Sequence, residues 1–326
     1  MTKFLKSLEA ELKKLKLSDE EIKEIIADHQ QMLNEAKEEG LSEEEITAKF
    51  GDPEKLARDL AEDVRTATLN MNDYSNEQPY DAIDGYELHQ ALLPTDELTE
   101  INISLVSEDL SIYPYEGEKI EIHFRKINKP EDFDISLENG VFKLKRKQGS
   151  KLFNFGSRDS GKIVVRYPRD QKLTTYQIVE VSGDVKAKGI QTDVLNLKST
   201  SGDYHVEGVE AGKTEFKTVS GDFNLLDLRL GETIMSAVSG DYEGKNIVVA
   251  GELTLNTVSG DFEFDNVKAK SASLRTVSGD LEATEFYVEV IDLRSVSGDI
   301  EIENQDKTKP IKEGHKKSVS GKIEIR

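Results

Sequence analysis

No cysteine occurs in this chain, which excludes disulfides, thiolate metal sites and thiol nucleophiles and leaves the redox compartment open. Tryptophan is absent too, and aromatic residues make up only 7% of the 326 positions. Long apolar runs are missing: nothing approaches the roughly 20 residues of a spanning helix, and the N-terminus lacks the apolar core of a secretory signal. On those grounds the sequence places the chain in the cytoplasm, at most peripheral to a membrane. Cations are scarce, with 43 Lys and Arg against 64 Asp and Glu and a net charge of -21, which argues against nucleic acid as a partner. The five histidines, His29, His89, His123, His205 and His315, have no metal-ligand spacing to one another. No Ser-His-Asp grouping can be assigned. No cofactor, no metal site and no catalysis are therefore expected.

What the chain has instead is repetition. Ser-Gly-Asp occurs at Ser182, Ser201, Ser220, Ser239, Ser259, Ser278 and Ser297, with an altered copy at Ser320, at spacings of 19, 19, 19, 20, 19, 19 and 23 residues. A fixed period near 20 marks an architecture in which each unit buries its apolar face only against the next. After each Asp the apolar residues alternate, as in Phe223 and Leu225 or Phe262 and Phe264, the period of a strand with one face buried. β-branched and aromatic types dominate and no 3.6-residue period survives, so a parallel β-solenoid with rungs of about 19 residues is predicted over 181–326. At roughly 4.8 Å per rung the repeats make a rod about 35 to 40 Å long. The central Gly is expected to supply a positive φ at the corner, and Ser and Asp to hold the turn by hydrogen bonds.

The row Asp184, Asp203, Asp222, Asp241, Asp261, Asp280 and Asp299 has two further readings, as a cation-binding row and as the acidic cleft of a polysaccharide-cleaving β-helix. Like charges at rung spacing repel by about 1 kcal/mol per pair in water, so something must relieve them. Backbone N–H groups and Ser hydroxyls can do so without a metal. A glycosidase needs two carboxylates in different environments, and an identical Asp on every rung is the opposite of that.

Residues 1–65 read differently. Phe4, Leu5, Leu8, Leu12 and Leu15 mark one helical face; Ser18 with Glu21 opens a second helix that Gly40 ends; Ser42 with Glu45 opens a third; Asp52 and Pro53 open a fourth. The expected fold is α+β and multidomain: a small N-terminal helical bundle (1–65), a linker or cap segment (66–96) and a β-solenoid domain (97–326).

Between Val141 and Lys172 the charge reverses, with ten basic residues against Asp159 and Asp170. This stretch supplies a candidate interaction loop of Lys143, Lys145, Arg146, Lys147, Lys151, Phe153, Phe155 and Arg158. Such a loop can hold an anionic membrane surface or an acidic partner, or fold back on the chain itself. Gly156 to Lys162 satisfies part of a phosphate-loop pattern, but Ile163 stands where Ser or Thr is needed and a strand follows. The last strand, ending at Arg326, leaves a homodimer through the C-terminal solenoid edge open.

Glu38-Glu39-Gly40 and Gly51-Asp52-Pro53-Glu54-Lys55-Leu56-Ala57 resemble the HAAS-type helical signalling module of Gram-positive bacteria. The Ser-Gly-Asp portion, from about Glu97 to Arg326, resembles the putative-adhesin β-strand-repeat family, and Val106-Ser107-Glu108-Asp109-Leu110 looks like a degenerate repeat. Together the resemblances imply a non-catalytic interaction or signalling protein linked to envelope stress. In it the solenoid is a binding platform and the helical module docks a protein partner. The alternative is a surface adhesin or glycan-binding rod, and a more distant one a polysaccharide-cleaving enzyme.

Overall fold

The computed structural model describes residues 3–15, 22, 26, 57, 83, 85–94, 96–147 and 161–326. The chain divides into two compact units. In the smaller, the described residues form helix α1 (Lys3–Lys14), whose Leu5, Leu8 and Leu12 recur at helical spacing and are fully buried. Glu9 to Lys13 and Glu11 to Lys14 pair across its exposed turns. A helical bundle is not shown. Ile22, Ile26 and Ala57 are helical as single positions, and the second, third and fourth expected helices otherwise lie outside the described residues.

The larger unit is the parallel solenoid with its expected period of about 19 residues, preceded by strands that close one end. These are β1 (Glu87–Leu92), β2 (Glu100–Ser104), β3 (Asp109–Tyr115), β4 (Ile120–Arg125), β5 (Phe133–Glu138), β6 (Val141–Arg146) and β7 (Lys162–Pro168). The rungs continue through β8 (Leu173–Glu180), β9 (Val185–Lys188), β10 (Gln191–Ser199), β11 (Tyr204–Glu207), β12 (Glu210–Lys217), β13 (Phe223–Ser236), β14 (Tyr242–Thr257), β15 (Phe262–Thr276) and β16 (Leu281–Ser295). β17 (Ile300–Glu303), β18 (Lys312–Ser318) and β19 (Ile323–Ile325) end the stack.

Each regular rung runs from one side of the solenoid through a Ser-Gly-Asp corner to the other. Parallel partners are offset by one repeat, so that Tyr204 lies on Phe223, Phe223 on Tyr242 and Tyr242 on Phe262. The rung made of β2 and β3 lies between β6/β7 and β8/β9. Val106 to Asp109 is thus its corner: Ser182 donates its N–H to the Val106 carbonyl at 2.9 Å, as Ser201 does to Val181 at 2.8 Å. Antiparallel β5 covers β6, antiparallel β4 covers β7, and β1 adds to β4. A bare parallel edge is thereby avoided at this end.

The register stacks like on like in the core. Tyr204, Phe223, Tyr242 and Phe262 form a column with ring centroids 4.8, 5.1 and 5.2 Å apart and nearly parallel planes. Glycine's role at the corner differs from expectation. None of the corner glycines from Gly183 to Gly321 has a positive φ. A Cβ on Gly260 would instead lie 2.1 Å from the Gly240 carbonyl oxygen, and one on Gly279 2.0 Å from that of Gly260, so absence of a side chain lets the corners stack. The left-handed positions fall at a second bend, Gly189, Gly208, Asp227, Asn246, Asn266 and Glu285. There Asn246 donates to Asp227 and Asn266 to Asn246, both at 2.8 Å.

At the far end the chain leaves the stack after β17. Asn304 fills the gap with its side chain: its Oδ1 accepts the Phe286 N–H at 2.7 Å and its Nδ2 donates to the Phe286 carbonyl at 2.9 Å. Asn304→Ala would leave both buried groups unpaired and is expected to cost about 2 kcal/mol in chemical denaturation. An unchanged midpoint would show that water replaces the amide.

Candidate binding surfaces at the two corners

The Ser-Gly-Asp corner displays three parallel rows. Each Asp accepts, through Oδ1, the backbone N–H of the Asp one rung on: Asp203 to Asp184 at 3.1 Å, Asp222 to Asp203 at 2.9 Å, Asp261 to Asp241 and Asp299 to Asp280 at 2.7 Å. Lys322 continues the series by donating its N–H to Asp299 at 2.7 Å. Each Ser hydroxyl donates to a carbonyl one rung back, as Ser201 does to Val181 at 3.1 Å and Ser297 to Val277 at 3.2 Å. Crowding between rungs raises the Asp184, Asp203 and Asp222 carboxyls, Asp203 to about 6, through burial first. The next rung's N–H opposes that rise, and neighbouring carboxylates add to it. Among the described residues no group of three or more acidic or His side chains could hold a metal ion.

The third row escaped the sequence reading. Val181, Val219, Val238, Val258, Val277, Val296 and Val319, each just before a corner Ser, point outward and are 42 to 74% exposed. The signal was parity: the preceding residue, Thr218, Thr257, Thr276 or Ser295, faces inward and is buried, so the Val that follows must face out. Ser199, Thr276 and Ser295 turn their hydroxyls onto the carbonyls of Gly202, Gly279 and Gly298. Two residues before four of these valines, on the same outer face, stand Lys217, Arg275, Arg294 and Lys317.

The chain leaves the ladder at this same corner after Arg146 and rejoins it at Lys162. Of the candidate loop, Lys143 and Lys145 are exposed on β6. Arg146 is held by Glu108 at 3.0 Å and Asp132 at 3.2 Å, its guanidinium 4.8 Å above the Phe133 ring. Lys147 reaches Asp134 at 3.3 Å and the Glu131 carbonyl at 2.7 Å. Lys151, Phe153, Phe155 and Arg158 lie outside the described residues.

Half a rung away, beside the second bend, a groove of about 990 Å³ crosses successive rungs. Its apolar lining comes from Pro114, Tyr167, Leu173, Ala211, Leu230 and Val248. Its charged lining alternates Arg169, Lys172 and Arg229 with Asp170, Asp193 and Glu210. Arg229 pairs with Glu210 at 2.8 Å and Arg169 with Glu116 at 2.7 Å, both exposed, so both pairs are worth little and can be opened. The Tyr167 hydroxyl is buried without a hydrogen-bond partner, and burial raises its pKa. A smaller recess of about 460 Å³ shares Arg169, Asp170 and Gln171 with the groove.

Residues 98–326 match the family model Toastrack DUF4097, and residues 3–59 match the HAAS model. Among solved structures, a "putative lipid binding protein" from Parabacteroides distasonis ATCC 8503 aligns with a TM-score of 0.52 at 19% identity. The alignment covers 73% of this chain and 96% of that one, and this likeness shows the fold. A "putative adhesin" from Bacteroides fragilis NCTC 9343 aligns at 0.44 and 16% identity, covering 73% and 95%. A "putative cell adhesion protein" from Clostridium sporogenes ATCC 15579 aligns at 0.21 and 13%, covering 72% and 97%. No curated protein matches. These sources give no support to a restriction to Gram-positive organisms. The cytoplasmic placement is overturned as well. No helix among the described residues is long and apolar enough to cross a membrane, but that places nothing, and the Parabacteroides protein that shares the fold carries the name of lipid binding.

Proposed function

The chain belongs to the Toastrack DUF4097 family, and we propose that it is a non-catalytic binding protein of the cell envelope. Its solenoid takes an amphiphilic, anionic ligand, and its HAAS segment docks a protein partner. The observation that carries this reading is the groove beside the second bend. Apolar side chains from several rungs line one trough, and Arg169, Lys172 and Arg229 line it in alternation with Asp170, Asp193 and Glu210. An extended acyl chain would cover the apolar lining, and Arg169, Lys172 and Arg229 would meet its anionic head. The name of the Parabacteroides protein, a "putative lipid binding protein", fits this chemistry. The basic strand end at Lys143 and Lys145 offers a further contact to anionic lipid surfaces.

Titration of a dansyl-labelled fatty acid into the protein tests this. Saturable binding is expected, weakened at least tenfold by Lys172→Glu with Arg229→Glu and by Ala211→Arg, with circular dichroism unchanged. Equal affinity in all variants, or no saturable binding, would remove the groove from the function. Saturable binding of an oligosaccharide in place of the fatty acid would favour the glycan-binding rod instead.

A further inference from the structure

We infer that the Ser-Gly-Asp corner is a self-association surface, and that its partner is a second copy of this chain set parallel and in register. The inference does not depend on the groove, which lies at the other bend. On three rungs three outward positions occur in one order: a cation at Lys217, Arg275 or Arg294, then Val219, Val277 or Val296, then Asp222, Asp280 or Asp299; Lys217 also pairs with Glu215 on its own copy. A two-fold axis parallel to the stacking direction reverses that order on the facing copy. Each valine then meets its own counterpart, and each copy's cation row faces the other's aspartate row on both flanks. A two-fold axis perpendicular to the stack sets cations against cations and aspartates against aspartates, and is disfavoured.

Pairing through the C-terminal edge fares worse, because Lys312, Lys316 and Lys317 of β18 are all exposed there and would confront the same residues. The size of the strip predicts the strength. Seven rungs at about 4.8 Å by roughly 15 Å across give on the order of 500 Å² per copy, the low end for a specific interface. The dimer is therefore weak, salt-sensitive and concentration-dependent. Aromatic hot spots are absent from the strip, whose apolar content is valine alone.

The absence of native cysteine makes a clean experiment available on the full chain. Val219→Cys, Val258→Cys and Val296→Cys, each alone, are oxidised mildly and run on non-reducing gels, with sedimentation equilibrium of the unmodified protein from micromolar to 100 µM. The expected result is same-residue cross-linking at all three rungs and a mass rising from 36.5 kDa toward twice that value. Arg275→Glu with Arg294→Glu, both exposed and away from the core, should raise the dissociation constant at least tenfold with the thermal midpoint unchanged. Cross-linking at one rung only would mean an antiparallel pair and overturn the proposal. So would a monomer at every concentration, or a dimer that none of the cysteines cross-links.

Discussion

Gly260→Ala is expected to lower the unfolding free energy by roughly 4 kcal/mol or more, while Gly251→Ala costs less than about 1 kcal/mol. The two glycines sit in the same rung and differ in what a methyl group would strike. At Gly260 it would lie 2.1 Å from the Gly240 carbonyl oxygen and 3.2 Å from the Ser239 carbonyl carbon. Those are backbone atoms of the preceding corner, and they cannot yield without separating two rungs. At Gly251 the nearest atom is the Glu232 Cγ at 3.2 Å, the far part of a side chain that can swing away. Because rungs are stabilised by their neighbours, forcing two of them apart cuts the stack. Limited proteolysis of Gly260→Ala should open the chain near residues 236–262, and its urea midpoint should fall well below that of Gly251→Ala. Equal midpoints for the two variants would mean that the corners have room for a methyl group.

The contrast shows where the sequence could and could not be read. The period, the strands and the inward alternation of Tyr204 with Val206 or Phe262 with Phe264 were legible because burial recurs at every repeat. The reason for the corner Gly was not legible. A glycine needed for close approach and one needed for a positive φ look identical in one dimension, and only the stack separates them. The second bend did carry a signal, since Gly, Gly, Asp, Asn and Asn at 189, 208, 227, 246 and 266 are the types that tolerate a left-handed backbone. The valines look like ordinary apolar strand residues in the sequence, although their parity relative to the buried residue before them points outward. The groove had no sequence signature, because residues such as Leu173, Ala211 and Leu230 are ordinary until the register lays them side by side. At the helical end, α1 was readable from its leucines, and the remainder of that module rests on the sequence alone.

One departure from the repeat was visible in the sequence and carries the second large effect. Where the other rungs place Ser199, Thr218, Thr257, Thr276 or Ser295, the first regular rung places Glu180, which is 1% exposed. Its Oε1 accepts the N–H groups of Val181 and Gly183, both at 3.1 Å, while Oε2 is buried without a partner. Burial is the main cause that pushes its pKa up from near 4.5 to about 8; the Glu108 carboxylate adds to the rise, and the corner N–H groups oppose it. The folded protein therefore holds a proton there that the unfolded chain releases. Stability from this group is complete below about 4.5, falls by about 1.4 kcal/mol per pH unit as pH rises, and levels off above about 8. Glu180→Gln keeps an acceptor for the two N–H groups and removes the proton equilibrium. The variant and the wild type should denature alike at pH 4.5, whereas at pH 8 the variant should be the more stable by several kcal/mol. Parallel stability-versus-pH curves for the two proteins would show that Glu180 is ionised in the folded state. The Arg146 guanidinium that pairs with Glu108 would then be the group to examine, with Arg146→Met expected to restore the difference by leaving the Glu108 carboxylate, which raises the Glu180 pKa, without that counter-charge.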